Sequence, residues 1–400
     1  MLKLDSNLCC GCTACVSICP QNCLEMVADA EGFLEPKLND NKCIDCGLCN
    51  KICPVLNPVE EKIVEQHGFI VQHLDAQVRR ESTSGGAFSA IAESIINDGG
   101  IVYGAVYGED FTVKHVGITD KSEIWRFRNS KYVQSFLGDT FRDIRSYLIN
   151  GVKVCFSGTP CQIEGLRAFL QKDYSNLLLV DVVCHGIGSP LIWRKYLELF
   201  KDKMPEQIFF RWKHYGYKYS TMSFFANKEE FYYGGVESDP MLRAYFSNNC
   251  DRLTCYDCPF KKRYRIADIT IWDCFQPRYF DRSFDDDCGT TAVLIHSGKG
   301  MKEFSSILAN KQLKYMVVDT NELVLGNNEM INSVKCGSVR SAFLADAAIL
   351  PGRELFMRYF PNTPVSRIKK NVRILLLRLG IYNKVKYLLF LKRRVQPKQR

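Results

Sequence analysis

Cys9, Cys12, Cys15 and Cys19 with Pro20 read C-x2-C-x2-C-x3-C-P, and Cys43, Cys46, Cys49 and Cys53 with Pro54 repeat that spacing 34 residues later. Three thiolates at successive three-residue steps in a tight loop can wrap one face of a 4Fe-4S cube. The fourth, on the helix that follows, points toward another cluster. Zinc sites favour two ligand pairs with a longer gap between them, which this pattern lacks. The chemistry the residues support is one-electron transfer. Ten of the 19 cysteines fall within the first 53 residues, so this head accounts for most of the excess.

The double motif resembles bacterial two-cluster ferredoxins over residues 1–57. The resemblance implies one cluster on Cys9, Cys12, Cys15 and Cys53, and a second on Cys43, Cys46, Cys49 and Cys19. Cys10 and Cys23 lie outside the pattern and read as small buried hydrophobes.

The remaining chemistry-bearing residues need elements to position them. Residues 54–66 hold two prolines and three acids, a linker pattern. In Ser82-Thr83-Ser84-Gly85-Gly86, Ser84 is a good N-cap for the apolar-periodic helix that follows. Gly85 and Gly86 let a phosphate approach the free amides of a helix start, although a plain capped helix explains the same residues. Asp98-Gly-Gly100 ends that helix and residues 101–107 read as a strand. Two β-α units follow: strand 151–156, loop 157–161, helix 162–170; then strand 176–183, loop 184–188, and a helix from Ser189-Pro190 to Phe200. Successive β-α units imply a parallel sheet, and ligands on such sheets collect beyond the carboxyl ends of the strands. That brings Cys161, Cys184 and His185 to one edge. Cys250, Cys255 and Cys258 lie in a loop-like stretch before the strand 267–272, with Cys255-x2-Cys258 at metal-compatible spacing. A third 4Fe-4S cluster is expected, with zinc or buried thiols as alternatives. Cys155, Cys274, Cys288 and Cys336 read as structural. Residues 207–234 alternate aromatic and polar residues with turn signals, a meander whose aromatics belong to a half-buried sheet rather than to nucleic acid.

Clusters move single electrons, whereas most organic reductions need two or a hydride, so a ferredoxin-type head on an α/β body implies a flavin between them. No dinucleotide fingerprint is present, since Gly186-x-Gly188 has Leu191 in the third glycine position, and Ser297-Gly-Lys-Gly300 is not a Walker A loop. The ordered motifs are S-T-S-G-G (82–86), N-S-K-Y-V-Q-S (129–135), S-G-T-P-C-Q (157–162), V-C-H-G (183–186), F-R-x-K (210–213), C-Y-x-C (255–258), A-D-I-T-I (267–271) and G-T-T (289–291). In that order they resemble the coenzyme F420 hydrogenase/dehydrogenase beta-subunit family over roughly residues 1–330. The closer likeness is to its bacterial branch with a fused ferredoxin domain, often encoded beside polysaccharide-synthesis genes. The resemblance implies an FAD-dependent iron-sulfur oxidoreductase. Ser82, Thr83, Ser84, Gly85 and Gly86 would touch the flavin, Ser130 and Lys131 would lie near it, and Thr159, Pro160 and Cys161 would flank it. Cys161, Cys184, Cys255 and Cys258 would hold the third cluster, with Cys250 in reserve. His185 is the candidate proton donor, against a structural histidine, and Lys131 either donates to the flavin or pairs with a carboxylate. Two departures stand out: Trp272 occupies a usual glycine position, and Ile187-Gly-Ser-Pro replaces Val-Pro-Ser-Pro. Coenzyme F420 itself is not expected as the hydride partner, because family does not fix it.

At 400 residues, 46% hydrophobic, 12% aromatic and 24% charged, the chain is globular and long enough for two or three domains. The expected architecture is α/β and α+β: a two-cluster ferredoxin head (1–60), then an α/β body with a partly parallel sheet, comprising a flavin-binding region (61–150) and a region with the third cluster (151–330), then a basic, partly helical tail (331–400). Of the net charge of +9, the segment 367–400 supplies 12 Lys and Arg with no acid, leaving 41 basic against 44 acidic groups elsewhere. Met1 to Asp5 lacks the apolar stretch of a signal peptide, and no apolar run reaches the roughly 18 residues of a membrane span. The expected location is cytoplasmic, with the tail read as a surface helix docked on the body or, alternatively, as a contact with anionic lipid that would make the protein peripheral at the inner face of the membrane. The expected partners are a ferredoxin or other redox partner and a small organic substrate such as a sugar or sugar-linked intermediate, without nucleic acid. An electron-transfer subunit with no substrate of its own, or a cluster-stabilised scaffold in a polysaccharide-assembly complex, are the competing functions.

Overall fold

The computed structural model describes residues 3 and 5–395, with side chains to residue 392. Met1, Leu2 and Leu4 of the segment lacking a leader pattern, and residues 396–400 of the tail, lie outside the described residues. The head has little regular structure: helix α1 (Ala14–Ile18), the antiparallel hairpin β1 (Leu24–Ala28) and β2 (Leu34–Leu38), and helix α2 (Leu48–Lys51). Its sequence repeat is a backbone repeat. Gly11 and Thr13 in the first motif and Asp45 and Gly47 in the second occupy equivalent positions between cysteines, and all four have positive φ, from 46° to 72°. Left-handed residues between the thiols turn the chain tightly enough for successive Sγ atoms to converge. At Thr13 and Asp45 that conformation costs about 1–2 kcal/mol each.

The body follows with β3 (His67–His73), α3 (Ala76–Glu81), α4 (Ala87–Asn97), β4 (Ile101–Tyr107), β5 (Val113–Ile118), α5 (Thr140–Ile149), β6 (Val154–Gly158), α6 (Pro160–Leu170), β7 (Leu177–Val182) and α7 (Pro190–Leu197). Then come β8 (Gln207–Trp212), β9 (Thr221–Ala226), β10 (Glu229–Gly234), α8 (Pro240–Phe246), β11 (Ile269–Asp273), β12 (Thr291–Ile295), α9 (Gly298–Ala309), β13 (Leu313–Val318) and α10 (Thr320–Leu325). Helices α11 (Arg340–Ala347), α12 (Gly352–Tyr359), α13 (Pro364–Arg378) and α14 (Ile381–Val395) close the chain. Eight strands form one sheet in the order β13-β3-β12-β11-β7-β6-β4-β5. The central β11, β7, β6 and β4 run parallel, while the flanking pairs are antiparallel, which is the expected partly parallel sheet. The sheet crosses the region boundary expected at residue 150, because β3, β4 and β5 precede it and the other five strands follow.

Strand sequence explains the two-sided cover. Along β7, Leu177 and Leu179 pack with Phe141, Ile144, Ile163 and Leu166 of α5 and α6, while Leu178 and Val180 pack with Ile91 and Ile95 of α4 and Phe304 and Ile307 of α9. Alternate residues point to opposite faces, so a strand buried on both reads as an unbroken apolar run. The strand expected at 151–156 begins at Val154, since Gly151 and Val152 close the C-terminus of α5 through bonds to Leu148 and Tyr147. Residues 207–234 form the expected three-stranded meander, with Phe210, Trp212 and Phe224 buried.

The head is clamped to the body. Buried Arg252 donates to the carbonyls of Cys9 at 2.7 Å and Leu34 at 2.6 Å, Gln134 pairs with the Leu34 backbone in both directions, and Arg340 bridges Glu31. Arg142 donates to the carbonyls of Val16 and Ser17. A Cβ on Gly165 of α6 would lie 2.7 Å from the Cβ of Cys12, so only glycine lets α6 and the first cysteine loop touch.

Candidate functional site

In the head, Cys9, Cys12, Cys15 and Cys53 surround one small apolar cavity, and Cys19, Cys43, Cys46 and Cys49 surround another. These are the crossed sets implied by the ferredoxin resemblance, each combining three thiols of one motif with the last of the other. The two outlying thiols sit beside them. Cys23 Sγ is 3.2 Å from Cys19 Sγ, and Cys10 shares hydrogen bonds with Cys12 and with Cys161 of the body. Cys10 is therefore not an isolated hydrophobe: it lies between the head and a third thiol group.

That third group comprises Cys161 at the start of α6, Cys184 after β7, and Cys255 and Cys258 in the loop before β11. Cys161, Cys184 and Cys258 are all within electrostatic reach of one another, and Cys255 interacts with Cys184 and Cys258. Burial raises the thiol pKa of Cys184 and Cys255. A hydrogen bond with Cys10, followed by burial, raises that of Cys161. Among the described residues no three Cys, His, Asp or Glu converge tightly enough for a single ion; the thiolates of a cube bind different irons rather than one. Cys250 lies instead in the core beside α7 and α8, fully buried. Cys155 and Cys274 are buried as expected of packing residues, but Cys288 and Cys336 are exposed and do not pack.

A cavity of about 340 Å³ opens at the carboxyl ends of β6, β7 and β11, within the range of small-molecule sites. It gathers Ser82, Thr83, Ser84, Gly86, Ser130, Lys131, Thr159, Cys184 and His185 from segments spread over a hundred residues. Gly85 and Pro160 are not in its wall. Gly85 is pressed against β12, donating its N–H to Thr291 Oγ1 at 2.8 Å, and Pro160 is the buried first residue of α6. Ser84 does not cap α4: its hydroxyl bonds Thr291 Oγ1 at 2.8 Å, and the N-cap is Gly86 at φ 84°, with no side-chain cap. The residues opening α4, Gly86 to Ser89, thus line the cavity with no side-chain cap, and of their amides Ser89 N–H bonds back to the Gly86 carbonyl at 3.1 Å. Thr83 Oγ1 receives the Ser130 N–H at 2.7 Å and shares a hydroxyl bond with Ser130 at 2.9 Å, tying the two predicted segments together.

Lys131 and His185 have their polar atoms committed. Lys131 Nζ donates to the carbonyls of Arg126, Arg128 and Asn129 at 3.0–3.2 Å, so its three protons hold the loop, and among the described residues no carboxylate pairs with it. Burial, then the Arg126 charge, pushes it down to about 7, a trend the three carbonyls oppose. His185 meets Glu329 Oε1 through Nδ1 at 2.9 Å and Asn248 Oδ1 through Nε2 at 2.8 Å. Both partners accept, which favours the doubly protonated ring despite burial. The raised pKa agrees.

The cavity contains residues the sequence reading left out of its site. Arg211, half-buried, bonds Ser220, Tyr132 and Asp273, and its backbone exchanges bonds with the Asn129 side chain. His115 is a neutral ring whose Nε2 donates to Ser157 O at 3.0 Å while Nδ1 accepts from Ser135, which in turn accepts from Gln162. Arg211, Asn129 and Gln162 all lie in the quoted motifs, a signal present but not read as site chemistry. Glu329 carried no signal. Trp272, Phe246 and Phe275 line the other side, so the Trp272 departure narrows the cavity.

Residues 8–57 match the model of the 4Fe-4S dicluster domain, and residues 151–320 match that of the C-terminal part of the coenzyme F420 hydrogenase/dehydrogenase beta subunit. No curated protein matches the chain. Among solved structures, a chain of the F420-reducing NiFe hydrogenase complex from Methanosarcina barkeri is similar at 15% identity and a TM-score of 0.45, over 74% of this chain and 91% of that one. The chain thus joins a 4Fe-4S dicluster domain, an iron-sulfur electron-transfer unit, to a region whose residues 151–320 match the C-terminal part of the coenzyme F420 hydrogenase/dehydrogenase beta subunit.

Proposed function

We propose that this oxidoreductase passes electrons between the two head clusters and a two-electron partner through a third 4Fe-4S cluster on Cys161, Cys184, Cys255 and Cys258 and an FAD in the cavity. One observation carries the reading: Cys184 belongs both to the third thiol group and to the cavity wall. An electron on that thiol group is beside whatever the cavity binds.

The residues suit a flavin. The uncapped start of α4 offers amides and a positive dipole end to a phosphate, as Gly86 brings the backbone close. Thr83, Ser130 and Asn129 supply hydroxyl and amide partners, while Phe246, Trp272 and Phe275 offer an aromatic wall. When bound, the flavin supplies the exchange between single electrons and a hydride. The chain's own contribution is orientation and exclusion of water. Arg211, held by Asp273, fixes the floor; Lys131 holds the 126–129 loop; and His185, with both nitrogens engaged, acts as a positioning residue for the 184–188 loop rather than as the proton donor. The same cavity takes the small organic substrate, of which a sugar-linked intermediate is the class suggested by the family resemblance.

Anaerobically purified protein should show flavin absorption over the broad cluster absorption, and about 12 irons per chain, four for each cube. Cys184→Ser should lower iron to about 8 while flavin is retained. Protein that neither retains nor takes up FAD overturns the flavin assignment, and wild type with about 8 irons overturns the third cluster. Reduction by dithionite but not by NADH is expected, and bleaching of coenzyme F420 by the reduced protein would replace the organic substrate in this scheme. Turnover unchanged in His185→Gln would remove even a positioning role.

A further inference from the structure

Helices α13 and α14 form a two-helix arm turned at Gly380, whose φ is 68°. One face of the arm is docked. Arg373 pairs with Glu237 and sits over Tyr219, Lys370 lies over Tyr233, Lys386 donates to the Lys218 carbonyl, and Phe390 meets Tyr279 edge-on. About half a turn away, Val365, Ile368, Val372, Leu375 and Leu379 recur at three- and four-residue steps, forming one stripe on α13. Ile381, Val385 and Leu388 repeat the pattern on α14. Each of these eight apolar side chains is at least 42% exposed, Ile368 61% and Leu388 64%.

The charges beside the stripe identify what covers it. Exposed Arg367 and Arg378 flank it on one side of α13 and Lys369 on the other, and exposed Lys384 and Lys392 continue along α14. No Asp or Glu occurs after Glu354. A second copy of the arm would set cation against cation, and a nucleic acid would satisfy the cations but leave the apolar stripe in water. An anionic lipid surface satisfies both, because apolar residues enter the headgroup boundary while Lys and Arg meet the headgroups. No described helix is long and apolar enough to cross a membrane, so the arm lies along the surface.

We propose that α13 and α14 attach the protein to an anionic lipid surface through the Val365–Leu379 and Ile381–Leu388 stripes and their flanking Lys and Arg residues. The docked face leaves the arm fixed to the meander and to the β11–β12 connection, so attachment holds the whole body at the surface.

Flotation of the full chain with vesicles of phosphatidylcholine, alone or mixed with phosphatidylglycerol, tests this. The mixed vesicles should raise the bound fraction at least about fivefold, with the gain lost in high salt. The double substitution Ile368→Ser with Leu375→Ser should weaken binding about tenfold or more while iron content and circular dichroism stay unchanged, since both side chains are exposed. Equal binding to both vesicles, or undiminished binding of the double variant, overturns the proposal. So does a lipid-free dimer in sedimentation that the double variant abolishes, which would assign the stripe to a second copy.

Discussion

In the head, four of the eight buried hydrophobic side chains are thiols (Cys9, Cys12, Cys23 and Cys53), and the cysteine loops contain left-handed turns that cost free energy. In the body such side chains are Leu, Val, Ile and Phe, layered on both faces of an eight-stranded sheet. A segment of about fifty residues buries too little apolar surface to order itself, so the head depends on the iron that joins its cysteines. The body depends on packing and carries its polar machinery on an already ordered frame. Order supplied by a ligand and order supplied by a core fail under different insults.

The largest expected effect therefore comes from removing iron. Structural zinc in small domains contributes about 10–16 kcal/mol, a scale no apolar core of this head can match. Chelation under oxidising conditions should unfold residues 5–57 while the body keeps its own melting transition, read by calorimetry and by proteolysis confined to the head. One common transition before and after iron loss would break the contrast. Next comes the clamp. Arg252→Ala removes two buried charge-assisted bonds to Cys9 and Leu34, each worth about 1.5–3 kcal/mol. Cleavage in the 58–66 linker should accelerate without any shift in the body's transition.

Acid sharpens the comparison, because residues 1–60 contain no histidine. In the body, burial pushes His115 down to about 4, and burial with the Arg265 charge pushes His296 down to about 3. A histidine whose folded pKa is depressed contributes fully above its unfolded value near 6.5. Each loses about 1.4 kcal/mol per pH unit as pH falls toward the folded value. Urea unfolding of the body at pH 6.5 and 5 should differ by about 2 kcal/mol per histidine, and His115→Gln should flatten its share. An unchanged slope in that variant would assign the acid sensitivity elsewhere. The smallest effect is local: Gly86→Ala places a Cβ 3.0 Å from His73 Cβ at a positive φ, costing about 1–2 kcal/mol. It should weaken FAD uptake, measured by fluorescence titration, more than it shifts the melting temperature.

Cysteine spacing made the head legible almost completely, because consecutive ligands lie within one loop and leave a local pattern. The β-α units around Ser157 and Cys184 were legible for the same reason: each is a short run whose apolar periodicity changes once. Strand β3 was not. It pairs with β12 and β13, more than two hundred residues away, and nothing local in His67–His73 records those partners. Ser84 illustrates a second limit. Its residue type favours a cap, but β12 lies close enough for Thr291 to claim the hydroxyl, and the helix start moves to Gly86. Glu329 reaches His185 across 144 residues, a pairing that only the folded sheet creates. Lys131 read as a donor to a flavin or a partner for a carboxylate because its charge was visible, whereas the three carbonyls around it were not.

Cys161 and Gly165 are one helical turn apart on the same face of α6, the first in the third thiol group and the second against Cys12 of the head. A single rigid element therefore fixes the gap between a head redox centre and the proposed one in the body. Electron tunnelling falls off exponentially with such a gap, and a helix, unlike a hinge, does not let it breathe. A methyl group at residue 165 would wedge the two walls apart and slow that step while leaving every ligand in place.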